Sequence, residues 1–458
     1  MKTAKTPALN LGVAFPPHAQ HVALGAPPAA PRGAFRQSRL STAAVLAAPG
    51  GLILRINSFL SAFAASLIAF APMHAFAQDR DESVSVRDRA RPEYDPLGKR
   101  FGGFNLNASL DFGVASTDNL FAEDDAFADD DIIYTAGANA RLSSNWTRHA
   151  LSIEGGVETT SHQDFSSEDS DTHYLRGVGR LDVGAHTRVT AVAGIAHQVE
   201  PRTDPDSPLT LDPIEYDRTD TSIGVTHAFN RFLVTGEVAR SEYSFDGAQS
   251  FRDNTEDVLR GRIEAEITPR LGAVLEASAD ERDYDNAPGQ SSEGTNIRVG
   301  ATINFTDLMR GEITVGQFER DYNSPVLGST DGLAVASNLE WYITRLTTLT
   351  FHARRNAEDV IGGAYGLPYI ETEYGGRVDH ELLRNVILTG GARFGTREYD
   401  VVDRDDDYTH GELGADYLMN RRVAVRARYT YDQVDSSGVD AYRDYEVNAL
   451  SLGLSLRL

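Results

Sequence analysis

The residues able to do chemistry in this chain are mostly arginines and carboxylates set two apart. Arg176, Arg180 and Asp182 interleave with Leu175, Gly177, Gly179, Leu181 and Val183, and Arg260, Arg262, Glu264 and Glu266 interleave with Leu259, Gly261, Ile263, Ala265 and Ile267. Arg298, Glu340, Arg393, Arg426 and Arg428 occupy similar settings. In an extended chain, residues two apart share a face. These charges would therefore line one polar surface, where rows of guanidinium beside carboxylate orient polar solutes and favour anions or sugars. The competing reading is that they pair with one another and only hold that surface together.

Two other groups invite a chemical role. Asp124, Asp125, Asp129, Asp130 and Asp131, and again Asp405, Asp406 and Asp407, offer the carboxylate oxygens that calcium and magnesium prefer. Neither run has the spacing of a calcium loop, so both read as solvated loop tips and no metal site is assigned. His149, His162, His173, His186, His227, His380 and His410 stand near turns or strand ends, without a nucleophile elbow or a zinc-binding His pair. No catalytic residue and no cofactor is assigned, and the expectation is a protein that is not an enzyme.

These residues sit in an acidic, cysteine-free chain of 458 residues with a formal net charge of -24. Such a charge argues against nucleic acid as a partner. Residues 1–77 are the exception, with six Lys or Arg and no acid. Arg55, an apolar stretch from Phe59 to Ala71 and then Ala75-Phe76-Ala77 read as a secretory signal cleaved after Ala77. That stretch is short for a spanning helix, which needs about 20 residues. The Pro- and Ala-rich residues 1–54 are left out of fold reasoning. Residues 78–103 are polar and aperiodic, and read as a periplasmic arm.

From Phe104 to Leu458 the chain alternates. Phe104, Leu106, Ala108, Leu110, Phe112 and Val114 fall on one side of a strand, Asn105, Asn107, Ser109 and Asp111 on the other. Similar runs recur to the last residue, each long enough for the roughly 9 to 11 residues of a tilted membrane strand. Averaged over such strands the chain looks water-soluble, with a mean hydropathy of -0.33. A soluble β-sandwich would instead show strands of about 5 to 6 residues and one class of loop.

The connections fall into two classes. Eight short turns carry Arg148, Arg188, Arg231, Arg270, Arg310, Arg345, Arg384 and Arg422, roughly forty residues apart. Between them lie nine long acidic loops, of which Pro201 to Asp217 and Arg355 to Tyr369 are the longest able to fold inward. One rim with brief turns and one with extended loops predicts an all-β, transmembrane, antiparallel barrel of about eighteen strands, with short periplasmic turns and extracellular loops. Sixteen strands remain open, because Gly311 to Glu319 and Ile370 to Asp379 alternate poorly. Trp146, Phe229, Phe232, Phe305, Trp341, Tyr342 and Tyr417 cluster near the short-turn rim as a candidate aromatic girdle. Leu450, Leu452, Leu454, Leu456 and Leu458 form a terminal strand suited to closing the sheet.

Three segments carry a family resemblance: Val86-Arg-Asp-Arg-Ala-Arg-Pro-Glu-Tyr-Asp-Pro-Leu-Gly98, Arg377-Val-Asp-His-Glu-Leu-Leu-Arg-Asn385 and Asp403-Arg-Asp-Asp-Asp-Tyr408. With them the chain from Val86 to Leu458 resembles the Putative beta-barrel porin 2 family of outer-membrane proteins. The resemblance implies a bacterial outer-membrane location and, for some members, a link to export of surface polysaccharide. Leu458 departs from the terminal Phe common in such barrels, which bears on recognition by the assembly machinery.

The function expected is a channel for small polar solutes, since a wall of this size leaves a lumen too wide for side chains to fill. The alternatives are a component of polysaccharide export and a structural or adhesin-like barrel. The partners expected are outer-membrane lipid and lipopolysaccharide, the barrel assembly machinery and, for the export reading, polysaccharide. Residues 78–103 are too few for a globular plug.

Overall fold

The computed structural model describes residues 84–204, 207, 212–306, 308–360 and 367–458. The signal segment and the extension before it lie outside the described residues. A short strand β1 (Lys99–Phe101) precedes eighteen long ones. The first six are β2 (Phe104–Thr117), β3 (Asp131–Ser144), β4 (Ala150–His162), β5 (Ser170–Val183), β6 (Thr187–Val199) and β7 (Glu215–Phe229). Then follow β8 (Phe232–Phe245), β9 (Asn254–Thr268), β10 (Leu271–Tyr284), β11 (Ser292–Thr306), β12 (Met309–Tyr322) and β13 (Ser329–Thr344). The last six are β14 (Thr347–Val360), β15 (Leu367–Leu383), β16 (Val386–Tyr399), β17 (Asp405–Leu418), β18 (Val423–Ser437) and β19 (Tyr445–Arg457).

Each long strand pairs antiparallel with its chain neighbours, and β19 returns to pair with β2 from Ala449↔Thr117 to Arg457↔Ser109. The sheet is therefore a closed ring of eighteen strands, with β1 added as a short hairpin on β2. Closure is what lipid demands, because an unpaired N–H or C=O in hydrocarbon costs several kcal/mol and a closed ring has no edge. The expected alternation of eight short turns and nine long loops holds throughout.

Alternation sets the two faces. Leu450, Leu452, Leu454 and Leu456 are exposed, as are Leu175, Leu181, Ile195, Ile223, Val225, Ile297 and Val299, and together they make the apolar outer band. The poorly alternating segments are strands nonetheless, within β12 and β15. In β12 the pattern is broken by Phe318, which is buried on the inner face, and by Gln317, which is exposed on the outer one. The strands also run further than alternation indicated. Arg355–Val360 and Leu367–Tyr369, read as loop from sequence, are the upper ends of β14 and β15. These ends are buried against other parts of the protein on both faces, as Ala357 and Tyr369 are, so the pairing continues while the two-residue pattern fades.

The girdle needs one correction. Trp146, Phe229, Phe232, Trp341 and Tyr417 are exposed near the short-turn rim, and Phe305 lies in β11 with its side chain outside the described set. Tyr342 instead turns inward: it is 5% exposed, its hydroxyl donates to Glu340 at 2.7 Å and Arg310 lies over its ring. Strand geometry compels this, since Trp341 and Tyr342 are adjacent and cannot face the same side.

The outer band yields a direct test. Ile223→Arg on the lipid side is expected to destabilise the barrel by about 2–4 kcal/mol if Ile223 sits near the bilayer midplane. Ser222→Arg, one residue along and beside Glu237, is expected to cost far less. Reversible urea unfolding in phospholipid vesicles reads the difference, and equal losses would contradict the assigned faces.

Candidate functional site

The inner face is a lattice of ion pairs laid out by strand register. Arg176 and Arg141 on β5 and β3 reach Glu154 between them on β4, at 3.5 and 3.7 Å. Arg180 holds Asp182 at 3.1 Å, and Asp182 also receives Arg188 at 3.3 Å. Arg262 contacts Glu264 at 3.4 Å, Glu276 at 3.3 Å and Glu312 at 2.5 Å, while Arg298 takes the other oxygen of Glu276. Arg260 stands opposite Glu237 across the β8–β9 ladder, and Glu266 faces inward near the turn that follows β9. Arg310 holds Glu340 at 2.7 Å, and Arg393 reaches Glu373 at 3.6 Å. Arg426 and Arg428 share Asp416 at 3.6 and 2.9 Å, and Arg428 also contacts Glu412 at 3.3 Å.

Every charged residue singled out from the strand pattern thus lies on the inward face. Most of their partners, Glu154, Glu276, Glu312, Glu373, Glu412 and Asp416, were not among the residues expected there, although they carry the same two-residue parity. In several pairs the guanidinium is the more exposed member. Arg426 is 55% exposed against 8% for Asp416, Arg377 40% against 8% for Asp379, and Arg393 36% against 13% for Glu373. In these pairs the longer arginine is left more open to the interior than its carboxylate.

The extracellular end is narrowed by two inward-folded connections, both among the expected candidates. In the β6–β7 connection, the carbonyl of Thr203 accepts from Tyr445 Oη at 2.7 Å, and those of Arg202 and Asp204 accept from Arg443 at 2.8 and 3.0 Å. Tyr445 begins β19, so this loop reaches inward across the mouth. Its base is fixed by Arg202 on Glu168 at 2.6 Å and by Arg252 on Glu200 at 2.5 Å, the latter pair almost fully buried. The second connection is the β14–β15 hairpin. The β13–β14 ladder ends at Val335↔Arg355, and beyond it Ala357 and Ile370 pack on Phe318 and Ala334, which belong to the inner side of β12 and β13. These ends of β14 and β15 have left the wall and lie against its inside.

The acidic tips have structural work. Asp131 Oδ1 accepts the N–H groups of Ile132 and Asp164 at 2.7 and 3.1 Å, and Asp406 is buried against Arg404. Among the described residues no three His, Asp or Glu side chains converge as a metal-binding group. The histidines contact strand neighbours: His410 meets Asp432 at 2.6 Å, and His173 stacks on His197 with ring centroids 5.4 Å apart.

The periplasmic end holds what the sequence reading did not foresee. The arm is not free: residues 84–98 lie inside the mouth against the inner wall. Val86 N–H donates to Thr348 Oγ1 at 3.0 Å. Arg87 donates to Asp379 at 2.7 Å, Asp416 at 3.3 Å and Thr389 at 2.5 Å, and Arg89 and Arg91 meet on Glu381 at 3.1 and 3.0 Å. Arg384 and Arg421 donate back to the carbonyls of Ala90 and Pro92. The run of arginines at every second position, Arg87, Arg89 and Arg91, was the available signal. Gly98 turns the chain back out at φ +63°, with Asn107 Oδ1 and the Leu106 carbonyl within 2.7 Å of where a Cβ would sit.

A closed antiparallel barrel with an apolar exterior, an ion-paired interior and long loops opposite short turns defines a porin-like protein of the bacterial outer membrane. The chain belongs to the Putative beta-barrel porin 2 family, whose model matches residues 91–458. Solved barrels from Pseudomonas aeruginosa are similar at a distance. OpdL shares 13% identity at a TM-score of 0.44, covering 78% of this chain and 100% of its own. OccK2 (OpdF), solved in complex with glucuronate, shares 12% at 0.45, covering 77% and 98%. OccK9 (OpdG) shares 15% at 0.45, covering 78% and 98%. The comparison with curated proteins gives no match.

The loop latch titrates. Burial pushes the Glu200 carboxyl from the ordinary 4.5 up to about 7, against the pull of Arg252. A carboxyl raised in the folded state favours folding most in acid, so loop docking is strongest below about pH 4.5 and weakens as pH rises through about 7. A nitroxide at Thr203→Cys, in this cysteine-free chain, is expected to gain mobility between pH 5 and 8. With Glu200→Gln that change should vanish, and an unaltered pH response would refute the assignment.

Proposed function

We propose that this barrel is a diffusion channel for small polar solutes and that it prefers anions. The observation carrying the preference is the unequal exposure of the inner ion pairs, in which Arg377, Arg393 and Arg426 are more exposed than Asp379, Glu373 and Asp416. A solute passing within a few ångströms of such a wall meets guanidinium donors spaced along the strands, suited to carboxylates and other oxyanions. The inward β6–β7 loop and β14–β15 hairpin restrict the bore, which supports solutes of modest size over wide polymers. The outward apolar band would be covered by outer-membrane lipid and lipopolysaccharide.

Purified protein in a planar bilayer under a potassium chloride gradient is expected to show discrete steps with a reversal potential on the anion side. Arg393→Gln with Arg426→Gln should move that potential toward zero. A cation-side potential in the native protein would overturn the preference, and block by added oligosaccharide would turn the reading toward polysaccharide export.

A further inference from the structure

The wall carboxylates that hold the arm are already supplied with partners of their own. Asp379 is met by Arg377 at 3.2 Å, Glu381 by Arg384 at 3.5 Å and Asp416 by Arg428 at 2.9 Å, all from the barrel itself. Withdrawing Arg87, Arg89 and Arg91 would therefore strand no carboxylate without a cation. That matters because the large cost of breaking an ion pair away from water comes from the charge left unpaired. On the arm's side the released arginines would pass into the aqueous periplasm.

Besides these pairs the arm is held by hydrogen bonds to its backbone, from Val86 N–H to Thr348 and from Arg384, Arg421 and Arg457 to the carbonyls of Ala90, Pro92 and Tyr94, and by little apolar contact. Val86 is its one fully buried large apolar residue, while Val84 and Leu97 are exposed. Two of its three arginine attachments are open to screening, since charge-assisted hydrogen bonds weaken with ionic strength where water reaches them and Arg87 and Arg89 are 33% and 24% exposed, whereas the Arg91–Glu381 pair is buried. A pivot is present as well: Gly98 adopts the left-handed conformation just before β1, and β1 is anchored on β2 through Lys99↔Leu106 and Phe101↔Phe104. The mobile part and its hinge are thus separate from the ladder that closes the barrel.

From these three features we infer that residues 84–98 are a displaceable gate at the periplasmic mouth, closed by Arg87, Arg89 and Arg91 and hinged at Gly98. In the closed state the arm lies across the inner face of β14 to β17 and narrows the exit. In the open state Arg377, Arg384 and Arg428 neutralise the vacated carboxylates, so the wall is balanced in both positions. The inference rests on the channel reading above.

Single-channel recording of the full-length protein tests it. The native channel is expected to switch between two conductance levels, with more time in the higher one as salt is raised from 0.1 to 1 M, where the screening length falls from about 10 to about 3 Å. The triple variant Arg87→Gln, Arg89→Gln, Arg91→Gln should stay in the higher level at both salts. Val86→Cys with Thr348→Cys gives an independent route: oxidation should hold the lower level and reductant should restore switching. Native-like dwell times in the triple variant, or an oxidised cysteine pair that still switches, would overturn the gate while leaving the channel intact. Absence of current from every form would remove the channel reading along with it.

Discussion

Inside a membrane no backbone amide can be left to water, and the structure follows from that constraint. The β19–β2 seam joins the last strand to the first and turns eighteen amphipathic segments into a wall without an edge. Once the ring closes, each residue has only two destinations, lipid or lumen. Leucine, isoleucine and valine take the first, arginine and carboxylate the second.

Charge confined to the lumen must then be balanced there. The register does this by setting opposite signs on neighbouring strands, as in Arg141–Glu154–Arg176 and Glu276 between Arg262 and Arg298. Such pairs tie neighbouring strands together across the wall. The same residues would serve either role, which is why the sequence alone could not separate a structural lattice from a solute-guiding one.

The two ends of the bore are treated differently. At the extracellular rim, closure relies on burial: Arg252 and Glu200 are sealed from solvent, and the β14–β15 hairpin rests on Phe318 and Ala334. At the periplasmic mouth, a thin arm is held by the partly exposed Arg87 and Arg89 and by a buried Arg91–Glu381 pair. Two of the three segments carrying the family resemblance, Val86–Gly98 and Arg377–Asn385, are the two sides of that contact. The third, Asp403–Tyr408, ties the opposite rim through Arg404 and Asp406.

Class, strand number and faces were legible in the sequence because they rest on periodicity: Leu450 to Leu458 alternate whatever they touch, and Arg148 through Arg422 punctuate the turns. Tyr342 was misplaced only where proximity to the rim was allowed to outweigh that same parity. Contacts between residues far apart in the chain were not legible, since no local pattern ties Arg87 to Asp379 or Thr203 to Tyr445. Alternation by itself determined that this chain forms a membrane barrel with a charged interior, because a two-residue period leaves a strand no other choice of faces. Only the tertiary structure decided what occupies that interior, because ring closure brings together groups whose separation along the chain carries no information about their distance in space.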